Sequence, residues 1–254
     1  FGWSSSSDAS GSVSPAAVLG FVVGGERNLS VNNRIDSFII ATTGSATDYG
    51  NLTSSFTYTA SCANTTRVLT GGGDGSVIDY FTVATTGSAS NFGDMTISVN
   101  QRSALSNSTR GVWGGGFGPT NVIDYVTIAS TGDATDFGDL TASLKNLTAC
   151  SSPTRGVFAG GATSTQSNVI QYITIASTGN ATDFGDLIVA RRSLAGSSSS
   201  TRGVFSGGTV TGSDPVNDMG YVTIASAGNA TDFGNLTRYG YGVGGTSSGH
   251  GGLS

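Results

Sequence analysis

Runs in which apolar and polar residues alternate recur through the chain: RIDSFIIAT at 34–42, VIDYFTVAT at 77–85, VIDYVTIAS at 122–130 and VIQYITIAS at 169–177. Their β-branched and aromatic residues suit a pleated, half-buried surface, so each run predicts a strand. Each leads into a polar Gly-Asx segment (TTGSATDYG, TTGSASNFG, STGDATDFG, STGNATDFG). Such segments turn a chain back into an antiparallel neighbour. Leucine-bearing stretches follow (GDLTASLKNLTA, GDLIVARRSLAG), then Ser-rich turns, then a TR-G-V-aromatic strand that ends in glycines. No stretch sustains a 3.6-residue period or carries helix caps, and the pattern reads as four short strands per repeat.

The spacing shows which parts of the repeat are rigid. The aromatic of the DFG-like triplet recurs at Phe1, Tyr49, Phe92, Phe137, Phe184 and Phe233, at intervals of 48, 43, 45, 47 and 49 residues. Repeats of that length build propeller blades or solenoid units. From the hydrophobe of the IDY-like strand (Ile35, Ile78, Ile123, Ile170, Met219) to the next aromatic the interval is always 14 residues, so those two strands are locked in register. From the aromatic to Val22, Val68, Val112, Val157 and Val204 it is 21, 19, 20, 20 and 20. The slack lies between that valine and the next IDY hydrophobe, where the gap is 13, 10, 11, 13 and 15 residues. Variable connections are surface loops, and variable loops on one face are where repeat proteins bind. These are Glu26 to Arg34, Asp74 to Ser76, Phe117 to Asn121, Ala162 to Asn168 and Thr209 to Asp218, which ring symmetry places together.

Two segments break the pattern. Phe1 to Ser7 reads as the DFG end of a repeat whose beginning is absent, one outer strand in surplus. An unpaired strand is a sticky edge, so this segment or the Gly-rich tail from Arg238 to Ser254 is expected to pack on a neighbouring subunit. The alternative is a sixth, incomplete blade made from 239–245 with 1–4. The expected organisation is one propeller domain over 1–237, with five blades (six as the alternative), and a tail over 238–254. The chain begins at Phe1 rather than Met, which fits a processed N-terminus or one further upstream.

Composition narrows the chemistry. Only 11% of the 254 residues are charged, against roughly 25% in ordinary globular proteins. The net charge is −5, and Lys145 is the single lysine. That offers no basic field for phosphate backbones, so no nucleic-acid partner is expected. No apolar run approaches the roughly 20 residues that cross a bilayer as a helix, and none resembles a signal peptide. Cys62 and Cys150 occupy the same place in non-adjacent repeats, too far apart for the roughly 7 Å a disulfide spans, and read as buried free thiols.

Catalysis finds no constellation here. The sole histidine, His250, stands in the Gly-rich tail, so there is no Ser-His-Asp set. DFG recurs without the lysine and HRD context of a kinase. Zinc lacks its Cys and His cluster. Calcium could use Asp133, Asp136 and Asp139, but the second copy offers Ser88, Asn91 and Asp94, so turn capping is the better reading. No enzyme activity, cofactor or metal is expected. The recurrent Arg67, Arg110, Arg155 and Arg202 read as ion-pair partners of Asp48, Asp136, Asp183 and Asp232, with Asn91 in the second copy. Eight Asn-x-Ser/Thr sequons, at Asn28, Asn51, Asn64, Asn107, Asn146, Asn180, Asn229 and Asn235, are what a Ser/Thr-rich chain produces by chance, and matter only in a glycosylating host.

A glycine pair closing a hydrophobic strand, a variable loop, a V-x-x-Y strand, a Gly-Asx turn and an aromatic with leucine together resemble the kelch repeat of β-propellers. RGVWGGG, NVIDYVTIAS and DATDFGDL follow the kelch order, with Phe or Tyr where kelch has Trp. The wording TRGVF-x-GG followed by NVIxYITIASTGNATDFGDL also resembles repeats in structural and tail-associated proteins of marine bacteriophages. The resemblance implies an all-β propeller of about 45-residue, four-stranded blades. It further implies a non-enzymatic structural or adhesive module of a virion or extracellular appendage, whose partners are copies of itself, other virion proteins or surface glycans. A soluble carbohydrate-binding lectin is the alternative. The candidate contact residues on the variable loops are Asn32, Asn33, Asp74, Trp113, Phe117, Asn121, Asn168 and Asp214; Trp113, in the place of Phe158 and Phe205, also reads as a larger core residue.

Overall fold

The computed structural model describes residues 2–5, 19–27, 30–242 and 244–245, which form five four-stranded antiparallel blades arranged as a β-propeller. Blade one holds β1 (Gly2–Ser5) and β2 (Leu19–Val23), a two-residue hairpin β3 (Glu26–Arg27) and β4 (Ser30–Val31) in its loop, then β5 (Arg34–Ile39) and β6 (Thr47–Asn51). Blade two holds β7 (Ala60–Ala63), β8 (Arg67–Gly71), β9 (Val77–Thr82) and β10 (Ser90–Asp94). Blade three holds β11 (Ser103–Ser106), β12 (Arg110–Gly114), β13 (Thr120–Thr127) and β14 (Thr135–Leu144). Blade four holds β15 (Thr148–Ser151), β16 (Arg155–Ala159), β17 (Val169–Thr174) and β18 (Thr182–Asp186). Blade five holds β19 (Ala195–Ser198), β20 (Arg202–Ser206), β21 (Asp218–Thr223) and β22 (Thr231–Asn235). The innermost strands adjoin in chain order, β1 against β7, β7 against β11, β11 against β15 and β15 against β19.

The 14-residue interval is the register of the third and fourth strands. Ile123 stands opposite Gly138, and a bulge follows before Asp124 meets Asp136. The same bulge recurs in the other four blades. Register also corrects the valine alignment. Leu69, not Val68, lies level with Val112, since Leu69 pairs with Tyr80 and Val112 with Tyr125. In blade one Phe21 takes that place opposite Ser37.

The first strand corrects the reading of the N-terminus. Residues 2–5 are not an outer strand in surplus: β1 pairs with β2, Gly2 opposite Val23 and Ser5 opposite Gly20, as the innermost strand of blade one. Phe1, Ser6 and Ser7 lie outside the described residues.

A single four-stranded sheet cannot cover its own two faces, and stacking does it. Four cores result, each shared by two successive blades. Phe21, Ile35, Tyr49 and Leu52 of blade one meet Val68 and Phe81 of blade two. Ile78, Phe92 and Met95 meet Trp113, Val126 and Ile128. Val112, Phe137 and Leu140 meet Phe158, Ile173 and Ile175, and Val157, Phe184 and Leu187 meet Phe205, Val222 and Ile224. Each large apolar side chain buried this way contributes about 1.5–3 kcal/mol.

Backbone joins the blades as well. The turn glycines Gly87, Gly132, Gly179 and Gly228 donate to the carbonyls of Tyr49, Phe92, Phe137 and Phe184 in the preceding blade, at 2.7–2.9 Å. The glycine after each aromatic is required by this approach: a Cβ on Gly50, Gly93, Gly138 or Gly185 would run into the turn glycine of the next blade. Polar clamps sit beside them. Buried Asp79 accepts from the Thr53 amide and hydroxyl at 2.8 Å, Asp124 accepts from the Thr96 hydroxyl, and Gln171 accepts from the Thr141 amide at 2.7 Å.

The recurrent arginines do not pair with the recurrent aspartates. Arg67, Arg110, Arg155 and Arg202 lie over the rings of Tyr80, Tyr125, Tyr172 and Tyr221, at 4.8, 4.5, 4.2 and 4.3 Å. The first three donate onward to the carbonyls of Ile128, Ile175 and Ile224 in the next blade. An exposed ion pair gains little beside a cation held on an aromatic face. Asp48 lies 3.4 Å from Arg34 instead, and Asp136 accepts from the amide of Gly138.

Cys62 and Cys150 are free and buried, each against a glycine of the next blade, Gly111 and Gly203. Burial alone raises the Cys150 thiol to about 12.

Candidate partner-binding face

Each variable loop leaves the end of a second strand and enters a third strand. Because all blades stack in one orientation, the loops and the connections between blades interleave on one face. The glycine closing the second strand makes the crossing: Gly115 has φ 68°, and a Cβ there would meet the Leu144 carbonyl at 2.6 Å. Gly116, Gly161 and Gly208 then donate to the carbonyls of Leu144, Arg191 and Gly240.

The loops are linked side by side. Asp74 accepts from the Thr57 hydroxyl at 2.5 Å and from the Asn100 amide at 2.6 Å, and these bonds hold its carboxyl below the usual range. The carbonyl of Asn100 takes the Phe117 amide at 2.7 Å, and Lys145 Nζ stands 4.9 Å from the centre of the Phe117 ring. Lys145 and Ala162 exchange backbone bonds, Gln166 donates to the Val210 carbonyl at 3.1 Å, and Arg192 and Thr209 exchange bonds in turn. The sequence pointed to the loops but not to Asn100, Lys145 or Gln166, which sit in connections or inside a loop without any repeating residue type to mark them.

The individual candidates separate into three groups. Phe117 is 53% exposed, and Asp74, Asn168 and Asp214 are exposed with it. Asn32, Asn33 and Asn121 are half-buried. Asn32 donates to the Gly25 carbonyl and accepts from the Arg34 amide, while Asn33 donates to the Leu52 carbonyl, so these two amides hold the blade-one loop in shape. Trp113 is removed from the candidates. It is fully buried, and its indole N–H donates to the Ala60 carbonyl at 3.1 Å, because the residue after the core valine points into the neighbouring blade.

Other chemistry is thin. Among the described residues no three His, Cys, Asp or Glu side chains come together to hold a metal ion. Asp133 instead accepts the Asp94 amide of the preceding blade, the place Asn180 and Asn229 take for Asp139 and Asp186. No described helix is long and apolar enough to cross a membrane.

No known family model and no curated protein matches this chain. Two of the sequons are closed by the fold. Asn64 and Asn107 are buried in the turns between first and second strands, where each side chain accepts from two following amides and donates to the next blade.

Proposed function

We propose that the protein is a non-enzymatic structural or adhesive module that binds its partner through the variable-loop face, as a component of a virion or an extracellular appendage. The observation that carries this reading is the face itself: loops of differing length and composition, tied into one surface around an exposed aromatic, on a scaffold that otherwise repeats. A rigid scaffold that varies only in its loops suits recognition. Copies of the chain, other appendage proteins and host-surface glycans are the partners such a face would take.

The lectin reading rests on Phe117, an exposed ring with a cation beside it. Aromatic faces stack on sugars, so a soluble carbohydrate-binding propeller would use this ring first. Two measurements divide the readings. The isolated chain is screened on a glycan array, and the assembled particle is tested for host attachment with and without the loops at 117–121 and 162–168. Array binding lost in Phe117→Ala supports the lectin. Attachment that depends on the loops only in the particle supports the appendage, and attachment indifferent to all the loops overturns the binding face.

A further inference from the structure

Four of the junctions between blades share a turn-glycine bond and a buried aromatic, three of them add the threonine clamp and three the arginine bond, and the fifth, between blade five and blade one, has none of these among the described residues. The aromatic of the fourth strand shows it most directly. Tyr49, Phe92, Phe137 and Phe184 are 2–4% exposed, whereas Phe233 is 47% exposed. Gly234 has open space where Gly50, Gly93, Gly138 and Gly185 each meet the turn glycine of the next blade. Thr237 and Asp36 stand at the places of Thr53 and Asp79, yet Asp36 lies 3.6 Å from Arg34 and makes no bond to Thr237. Arg202 keeps its place over Tyr221 without the onward bond to an isoleucine carbonyl that Arg67, Arg110 and Arg155 make.

The path of the chain after blade five says what belongs there. Gly240 accepts from Gly208 as Arg191 accepts from Gly161, and Gly242 donates to the Ser193 carbonyl. Gly245 then lies against the Gly196 carbonyl of β19, the place Gly196 itself holds against the Ala149 carbonyl of β15. Residues 244–245 are therefore laid on the track of an innermost strand of a further blade, beside β19. Blade one, from this chain or another copy, carries its own innermost strand β1 and would need that same track. Blade one also lacks the Arg-over-Tyr pair, with Leu19 and Ser37 in those places, as an end repeat does. Blade five keeps the pair and an internal type of face.

We propose that the uncovered face of blade five docks one more four-stranded blade of this same repeat, threaded on along residues 239–245 and closing against blade one. The incoming blade would present a turn glycine to the Phe233 carbonyl, an isoleucine carbonyl to Arg202 and, where it follows blades two to four rather than blade five, an Asp or Gln to Thr237. Its own aromatic and threonine would reach Gly44 and Asp36.

The test compares the chain as it stands with one in which residues 195–243 are repeated after residue 243, so that Ala195 falls at the place of Gly244. Amide exchange at Asn235 is read against Asp94, Asp139 and Asp186, whose amides are bonded across their junctions. The repeated chain should stay monomeric and slow exchange at Asn235 at least tenfold. Protection already present in the original chain at monomer mass would mean that the ring shuts on itself; protection that rises with mass would mean that a second copy is the occupant. Either result overturns the proposal, as does a folded, extended chain with no added protection. Should the extended chain fail to fold, Phe233→Ser in the original chain decides. An unchanged melting temperature beside a large drop for Phe184→Ser supports an uncovered face, and equal drops overturn it.

Discussion

Two buried arginines, Arg102 entering blade three and Arg191 entering blade five, do one structural task with different electrostatics. Both come from the connection before the blade, and both reach the second and third strands. Arg102 donates to the carbonyls of Trp113 and Val122 and forms a fully buried ion pair with Asp124, at 2.5 Å. Arg191 donates to the carbonyls of Phe205, Gly207 and Asp218, but Gly220 occupies the position of Asp124, so no carboxylate hydrogen-bonds the guanidinium and the Asp218 charge supports it only through space. Burial lowers both pKa values from the ordinary arginine range. A guanidinium can thus be held at a blade entry with carbonyls as its hydrogen-bond partners and no direct ion pair. The aspartate in blade three also holds Thr96 of the preceding blade, a second task without a counterpart at the places of Ile188 and Gly220.

The sharpest way to break this comparison is Asp124→Ala. It leaves Arg102 charged and enclosed, and unfolding in urea should show a loss of about 3–5 kcal/mol. The paired change Arg102→Met with Asp124→Leu should recover most of that loss, since an ion pair replaced by apolar groups is often neutral. Recovery of less than half would mean that the Thr96 bond, not the charge, is what Asp124 supplies.

Arg191→Met should cost less, about 1–3 kcal/mol, because three carbonyls lose their donor while no fully buried opposite charge is stranded. The converse change, Gly220→Asp, sets a carboxylate where blade three has one and should raise stability by about 1 kcal/mol, provided Arg191 is present. A gain that persists in Arg191→Met would show that the carboxylate acts on something else.

How far all this was legible in sequence depends on whether a feature repeats. The strands, their fixed 14-residue register and the loop positions were readable because five copies constrain one another. Arg110 was assigned to Asp136 because both recur, but recurrence carries no direction. The bulge before Asp124 sets which residues share a side of the sheet, and Arg110 meets Tyr125 across the strand. Arg102 and Arg191 escaped notice because neighbouring copies lack them. The N-terminal segment was misplaced because Phe1 and Gly2 repeat the FG of the triplet, while pairing with Val23 and Gly20 places 2–5 innermost.

The smallest expected effect concerns the neutral and charged versions of the clamp. Burial holds the Asp79 carboxyl above its ordinary range, opposed by the Thr53 bonds. The folded state therefore binds that proton more tightly than the unfolded chain does. The stability this contributes is fully present below the unfolded pKa, falls as pH rises, and is gone above the folded pKa. Asp79→Asn keeps the acceptor, as Gln171 does in blade four, and should flatten this part of the stability profile, which declines as pH rises above the ordinary carboxyl range. Urea midpoints that decline with pH as steeply in Asp79→Asn as in the parent would show that another group is responsible.

The two thiols give the stacked blades an internal clock. Cys62 reports on the seam between blades two and three through Gly111, and Cys150 on the seam between blades four and five through Gly203. A thiol reagent reaches either sulfur only when its seam parts, so the order in which they are modified is the order in which the propeller comes undone. A chain that frays from the Phe233 side yields Cys150 first.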